Sequence, residues 1–229
     1  VYRDTTTFSS DKKVEFGAKY GVDSPLFEHH TTSLVFSDPP LHSRVRRIMA
    51  GAMAPRAISA MEPGLIELVD GLLDAMEGRD RVDLIEDYAM QIPIEVIGNL
   101  FDMPHDEREP LRAWSLAILG ALEPVISPEQ EAAGNRAVVD FKAYLADLAA
   151  RRRAKPGNRD TDVLTRLMEE DAEGGLTETE LLQNCIFILN AGHETTTNLI
   201  GNALYELWAS PEEKARLMEN EMLLPLTVE

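Results

Sequence analysis

The sequence predicts a mainly α-helical protein whose helices pack around one long central helix, with little β-structure. Thr177 and Glu180 form a capping box, which starts a helix, and apolar residues then recur at helical spacing. The next helix start is Ser210-Pro211, an N-cap residue followed by proline. The central helix therefore covers about residues 177–208, on the order of 45 Å at ~1.5 Å per residue.

The rest of the chain reads as helices joined by short breaks. Residues 11–36 contain several breakers and are predicted to be irregular, and Val82–Ile85 is predicted as one short strand. Ser127 and Gln130 form a second capping box. The predicted helices before the central one are Leu41–Met53, Ala57–Met76, Asp87–Phe101, Pro104–Leu122, Pro128–Arg153 and Asp160–Glu170.

Composition excludes several functional classes. The 229 residues carry a net charge of -18, with 40 acidic side chains against 22 Lys and Arg, which argues against nucleic acid or an anionic membrane as the main partner. The single cysteine, Cys185, excludes a disulfide framework and favours a reducing compartment. With no signal-peptide pattern and no apolar run that spans a bilayer, we expect a cytoplasmic protein without membrane association.

The middle of the central helix is poorly suited to a helix. The segment Ala191–Thr197 contains a glycine, an acid and three threonines. Glycine costs roughly 1 kcal/mol relative to alanine, and a threonine hydroxyl can bond back to the preceding turn and bend the helix. This small, polar centre indicates that something flat or bulky lies against it, although a buried helix with a kink at Gly192 explains the same composition.

Two motifs carry a family resemblance. Ala191–Thr195 resembles the A-G-x-D/E-T signature in the long central helix of the cytochrome P450 haem-thiolate monooxygenases. Far upstream, Asp38–Arg47 resembles the DPPxHxRxR segment of the same family, and the spacing between the motifs also fits. The resemblance covers essentially the whole chain. It implies that residues 1–229 form a single partial domain, the distal half of a cytochrome P450 fold.

The resemblance implies a cofactor and a role for each motif residue. Haem b would lie against Ala191 and Gly192, whose lack of bulk admits the flat macrocycle and leaves room for dioxygen. Thr195 would hydrogen-bond bound oxygen and guide protons to it, and Glu194 would relay protons from solvent. The reaction would insert one oxygen atom into a small organic substrate. Electrons would come from NAD(P)H through a ferredoxin-type or flavin reductase partner.

Two cations in the upstream motif favour an anionic ligand. His42 and Arg46 are four residues apart and share a helix face, and both donate hydrogen bonds. The resemblance implies that they bind a haem propionate. Arg44 and Arg47 point elsewhere on this helix, where the family often receives an acidic redox partner. Solvated surface arginines are an equally good interpretation for these two.

Other chemistry is less well supported by the residues. The sequence holds no candidate for the proximal cysteine ligand, because Cys185 lies on a different helix face from Ala191 in an apolar setting typical of a buried core cysteine. The pair His29-His30 lacks nearby ligands at metal spacing and is predicted to be solvated in a loop. His193-Glu194 starts like a zinc motif, but Thr197 replaces its second histidine.

Two functional hypotheses remain from the sequence. In the first, the complete protein is a haem-dependent monooxygenase whose haem-ligating cysteine and E-x-x-R helix lie beyond Glu229. In the second, the chain is a catalytically inactive fragment or a haem-less family member that acts as a binding or activating partner. A proximal cysteine segment in the complete protein distinguishes the two.

Overall fold

The structure, a computed structural model, describes residue 4 and residues 7–53, 58–169 and 174–228. The α-helices in chain order are α1 (Lys13–Tyr20), α2 (Pro25–Thr32), α3 (Leu41–Ala52), α4 (Glu62–Met76), α5 (Gln91–Leu100), α6 (Pro110–Gly120), α7 (Pro128–Ala154), α8 (Val163–Leu167), α9 (Glu178–Ala209), α10 (Pro211–Glu219) and α11 (Leu224–Val228). Short 3₁₀ turns cover Leu34–Phe36, His105–Glu107 and Glu221–Leu223, and a π-helix covers Ile85–Ala89. These ranges contain no strand, so the mainly α-helical prediction is confirmed.

The long helix α9 begins at the predicted capping box. The Thr177 hydroxyl accepts a hydrogen bond from the Glu180 backbone N–H at 3.3 Å, and the Glu180 carboxylate accepts one from the Thr177 backbone N–H at 2.9 Å. Both bonds satisfy donors that a helix start leaves without a helical partner. The helix then continues for 32 residues through Gly192 to Ala209.

The core surrounds the first half of α9. Helix α9 packs against α2, α5, α6, α7 and the π-helix, and the apolar side chains of its first half are buried except for the half-buried Phe187. Beyond Asn190, one face of α9 is exposed while His193 and Thr197 stay buried. The largest side chains of this core are Leu26, Phe101, Ile118, Phe141, Leu145, Leu148, Leu164, Leu167, Ile186 and Leu189.

Residues 11–36 fold into two helices and a 3₁₀ turn, so the prediction of an irregular stretch was wrong. Ser24 caps α2 by accepting a hydrogen bond from the Phe27 backbone N–H at 3.1 Å, and Pro25 occupies the first helical position. Each helix has only 8 residues. Helices this short are marginal alone, so packing decides their formation: α1 packs on α2, and α2 packs on α7 and α9.

The prediction that His29 and His30 are solvated was also wrong, because both rings are buried in α2. His29 Nδ1 lies 2.9 Å from Gln183 Oε1, and Gln183 Nε2 donates to the Glu28 carboxylate at 3.1 Å. Because a carboxylate only accepts, this second bond fixes the Gln183 amide, and His29 Nδ1 must carry the proton. His30 contacts the rings of Phe16, Tyr20 and Phe36.

The predicted strand at Val82–Ile85 does not form within the described ranges. A strand needs a neighbour to pair its backbone groups, and these ranges offer none. Residues 81–83 have no regular structure, and the chain then enters the π-helix at Ile85. A Cβ atom at Gly201 would lie only 2.6 Å from Cδ1 of Ile85, so the π-helix approaches α9 closely.

The other boundaries follow the local signals with a few differences. The predicted helix over Asp87–Phe101 is the end of the π-helix followed by α5, and the one over Pro104–Leu122 is a 3₁₀ turn followed by α6. The helix predicted over Asp160–Glu170 shortens to the five residues of α8. Helix α4 starts at Glu62, and the predicted start at Ala57 lies outside the described residues.

The arginines that end α7 each bind an acid on a different element. Arg151 pairs with Glu107 at 2.7 Å, Arg152 pairs with the buried Asp162 at 2.9 Å, and Arg153 pairs with Glu178 at the start of α9. These arginines therefore interact favourably with the C-terminal end of the helix and also connect α7 to three other parts of the fold.

Acidification is expected to destabilise this fold through His29 and His30. Burial lowers the pKa of His29 to about 4 and of His30 to about 3, against about 6.5 for an unfolded chain. The unfolded state therefore binds protons first as the pH falls. The contribution of the two histidines to the free energy of unfolding is complete above about pH 6.5. It declines as the pH falls towards the folded pKa values, by up to ~1.4 kcal/mol per pH unit for each histidine. Urea unfolding across this pH range measures the decline.

The variant His30→Phe should reduce this acid sensitivity, because a phenyl ring suits the surrounding aromatic side chains and cannot take up a proton. His105→Gln is the matched control, since the His105 side chain is 82% exposed. An unchanged pH dependence in His30→Phe would contradict the assignment to His30.

Candidate functional site

An apolar groove of about 750 Å³ lies between α3, α5 and the middle of α9. Its walls are almost entirely aliphatic or aromatic, and Arg46 and Thr196 are its polar side chains. A concave, mostly apolar site with few polar groups is the usual form of a ligand pocket. The lining residues are Leu34, Arg46, Met49, Ala50, Met53, Leu65, Ile92, Pro93, Val96, Ile97, Leu100, Phe187, Ile188, Ala191, Gly192 and Thr196.

The α9 wall of this groove is built from small residues. Ala191 is exposed to the groove, and Gly192 next to it is half-buried. A Cβ atom at Gly192 would lie only 2.9 Å from Cδ1 of Ile97. The glycine therefore lets α5 approach α9, while the small side chain of Ala191 leaves the groove open.

Arg46 brings a positive charge to the opposite wall. It lies on α3 in an exposed position at the groove, one turn after the half-buried His42. His42 does not line the groove and lies close to Asp38. Hydrogen bonds from Ser9 and Ser10 are the main reason that the pKa of the Asp38 carboxyl is lowered, and the nearby His42 adds a smaller effect. Of the two predicted anion-binding residues, Arg46 therefore lines the groove and His42 does not.

Thr195 lies just beyond the groove on the same face of α9 as Ala191. Its hydroxyl donates a hydrogen bond of 2.6 Å to the Ala191 carbonyl oxygen, which is the back-bond that the sequence predicts. The single proton of the hydroxyl is thus engaged, and its lone pairs remain as acceptors towards solvent. Glu194 precedes it and is half-buried, about 100° further back around the helix.

The opposite face of α9 buries polar groups to which the sequence analysis assigned no role. His193 and Asn190 are 5% and 3% exposed, and neither the His193 ring nor the Asn190 amide has a hydrogen-bond partner among the described residues. Burial lowers the pKa of His193, and the charge of Arg112 on α6 adds to this effect. Thr197 on this face repeats the back-bond of Thr195, at 3.0 Å to the His193 carbonyl oxygen.

Cys185 is completely buried, and burial raises the pKa of its thiol. A thiol held in this neutral form is a poor metal ligand, because metals bind the thiolate. Nor does any group of three or more His, Cys, Asp or Glu side chains stand at ligating distance within the described ranges.

The structure thus brings Arg46, Ala191 and Gly192 together around one groove, with Thr195 at its margin. Glu194 and His42 lie near it without forming its walls. The sequence analysis missed the α5 wall, because the apolar residues of α5 carry no chemical signature of a site. The long run of apolar residues around Pro93 was the available signal.

Arg44 is not a solvated surface arginine. It pairs with Glu180 and donates to the Gly175 carbonyl oxygen at 3.1 Å, which ties α3 to the start of α9. Its side chain is 33% exposed. Arg47, one turn of backbone away on the same helix, instead lines a second pocket, with Arg159 and Arg166.

None of the helices in the described part is both long enough and apolar enough to cross a membrane.

Known proteins match this chain along most of its length. The family model for cytochrome P450 matches residues 8–223. The biotin biosynthesis cytochrome P450 of Bacillus subtilis is 31% identical over 238 aligned positions, which cover 100% of this chain and 58% of that protein. Cytochrome P450 107B1 of Saccharopolyspora erythraea is 36% identical over 194 positions, which cover 84% of this chain and 45% of the relative.

The fold also matches a solved structure. The complex of P450BioI with an acyl carrier protein that carries hexadec-9Z-enoic acid gives a TM-score of 0.86 at 31% identity, over 96% of this chain and 56% of that one. The chain spans about half the length of the curated relatives it matches. The family match, these relatives and the shared helical architecture show that the chain belongs to the cytochrome P450 family.

Proposed function

We propose that the complete protein is a haem-dependent monooxygenase that inserts one atom of dioxygen into a small organic substrate. The observation that carries the proposal is the apolar groove between α3, α5 and α9, with Arg46 on one wall and Ala191 with Gly192 on the other. In a member of the cytochrome P450 family, these two walls are the ones that the two sequence motifs form. Residues 1–229 are then the distal part of one haem-binding domain.

The groove fits haem b in three respects. Its volume of about 750 Å³ and its apolar walls suit a large, flat macrocycle. The small side chain of the exposed Ala191 would leave room for dioxygen in the groove. Arg46 at the edge suits a propionate, since a guanidinium donates two parallel hydrogen bonds to a carboxylate. His42, one turn earlier, is a second donor for the same group.

The haem, once bound, supplies the oxidation chemistry, and the residues of this chain bind it and handle protons. The Thr195 hydroxyl donates a hydrogen bond to the Ala191 carbonyl oxygen. Rotation of this hydroxyl would turn its proton towards the groove at the cost of that one hydrogen bond, about 0.5–1.5 kcal/mol. Glu194, half-buried beside it, replaces the proton from solvent.

The remaining parts of the proposal come from the family. The thiolate ligand is a cysteine outside these 229 residues, because Cys185 is buried in the core. Electrons would come from NAD(P)H through a ferredoxin-type or flavin reductase partner, in the cytoplasm, where a lone free cysteine stays reduced. We expect a substrate with an apolar portion, in keeping with the hexadec-9Z-enoic acid that the acyl carrier protein carries in the complex of the solved relative.

The absorbance spectrum of the complete protein, reduced and under carbon monoxide, tests the function. We expect the red-shifted band of a thiolate-ligated haem, with an intact mass above that of the 229-residue chain. The 229-residue chain prepared alone should lack this band. A complete protein without haem absorbance would favour the alternative, a haem-less family member that acts as a binding or activating partner.

Arg46→Gln should weaken haem retention in the complete protein. A lost charge-assisted hydrogen bond is worth about 1.5–3 kcal/mol, so we expect haem transfer to an excess of apomyoglobin to accelerate about tenfold or more. His42→Gln should act in the same direction. Arg153→Gln, which removes an equal charge far from the groove, is the control. Retention that equals the control in both variants would rule out the propionate assignment.

Thr195→Ala should uncouple oxygen consumption from product formation, with the excess appearing as hydrogen peroxide, because the guiding hydroxyl is lost. Thr195→Ser should restore coupling. Thr197→Ala removes an equivalent back-bond from the buried face of α9 and separates helix bending from proton delivery. The ratio of product to NAD(P)H consumed is the measurement. Tight coupling in Thr195→Ala would show that Thr195 has no such role.

A further inference from the structure

Ile97 of α5 packs against the turn of α9 that carries the candidate site residues. It is 7% exposed and lines the apolar groove. A Cβ atom at Gly192 would lie 2.9 Å from Cδ1 and 3.3 Å from Cγ1 of Ile97. Apart from the backbone of α9 and the two chain neighbours of Gly192, no other described residue comes within 4 Å of that position. The ethyl arm of Ile97, its Cγ1 and Cδ1 atoms, therefore takes the place of the side chain that Gly192 lacks.

The α9 turn from Ala191 to Thr195 depends on what packs against it. Gly192 restricts the backbone less than any other residue would. The hydrogen bond of 2.6 Å from the Thr195 hydroxyl to the Ala191 carbonyl oxygen is of the kind that bends helices. Ala191 and Thr195 are both exposed, so the described residues leave the groove side of this turn uncovered. The side chain that packs against Gly192 is therefore placed to set how far the turn reaches into the groove.

Arg108, which follows α5 in the chain, holds the backbone around Ile97. The arginine is 8% exposed, and it donates hydrogen bonds to the Glu95 carboxylate at 2.5 Å and to the Asn99 side-chain oxygen at 2.9 Å. Its guanidinium also fills the space that a side chain at Gly98 would need. Buried charge-assisted bonds are costly to break, and an isoleucine in a helix is stiff at χ1. Ile97 is therefore a firm support for α9.

We propose, on the basis of the proposed monooxygenase function, that Ile97 is a positioning residue of the candidate site. Its ethyl arm sets the approach of α5 to Gly192, and through it the position of the Thr195 hydroxyl at the margin of the groove. A displaced hydroxyl would lower the coupling of oxygen consumption to product formation, because proton transfer needs hydrogen-bond geometry. Ile97 has no polar side-chain atom and acts only through this contact.

A size exchange between positions 97 and 192 of the complete protein tests the proposal. Ile97→Val removes Cδ1, and Gly192→Ala adds a Cβ atom at the place that Cδ1 approaches to 2.9 Å. Each single variant should lower the ratio of product to NAD(P)H consumed by about threefold or more. The double variant nearly conserves the volume at the contact, so coupling should return to within about twofold of the unsubstituted protein.

A second readout does not depend on turnover. The infrared stretching band of carbon monoxide bound to the reduced haem responds to the groups beside it, so the band should shift or broaden in each single variant and return in the double variant. Ile186→Val is the matched control. Ile186 is fully buried in α9 and lies outside the groove, so this variant loses the same methyl group and should keep both the band and the coupling.

Three outcomes would overturn the proposal. The first is an unchanged band and unchanged coupling in both single variants, or an equal change in Ile186→Val, since a general loosening of α9 would then suffice. The second is additive loss in the double variant, because the two positions would then act independently. The third is a further loss when Ile97→Val is added to Thr195→Ala, since Ile97 is proposed to act through Thr195. Failure of the proposed function is distinguishable, because it appears in the unsubstituted protein as absent haem absorbance.

Discussion

The burial of the first half of α9 is the constraint on which the rest of the structure depends. From Leu181 to Asn190 every residue of this helix is buried except the half-buried Phe187, and from Ala191 onward one face of the helix is exposed. The change from enclosed to open falls at the small residues Ala191 and Gly192. A helix whose first half is fixed by its neighbours holds the backbone of its second half at a defined position. The buried half of α9 therefore positions the α9 side of the candidate site, although that side is partly exposed.

Buried polar groups, more than apolar ones, determine where the neighbouring elements sit against α9. Gln183 and Asn184 are fully buried, and their amides bind His29 and the backbone of Leu34 at 2.9 Å each. Arg44 reaches Glu180 and the Gly175 carbonyl oxygen from α3. Apolar contacts tolerate small shifts, whereas an unpaired buried polar group costs about 1–3 kcal/mol. These bonds therefore fix the register of α2 and α3 on α9.

Helix α3 serves two sides of the molecule because successive residues of a helix point about 100° apart. Arg46 lines the apolar groove, and its neighbour Arg47 lines the second pocket, with Arg159 and Arg166. One short helix thus presents positive charge in two directions, on a strongly acidic chain.

The sequence by itself determined the elements whose signals are local. The capping boxes at Thr177 and Ser127, the helix after Pro40 and the back-bond of Thr195 depend on residues within one or two turns of each other. The motif residues Arg46, Ala191 and Gly192 were also assigned from sequence, and they line one groove.

Only the tertiary structure decided the features that depend on distant partners. His29 is buried against Gln183 of α9, and His30 is buried against rings of α1 and the 3₁₀ turn after α2. Val82–Ile85 lacks a strand because the described ranges provide no neighbour for pairing. Arg44 is an ion-pair residue because Glu180, 136 positions along the chain, lies beside it. Burial and pairing are properties of the packed chain, and residue order alone does not specify which surfaces meet.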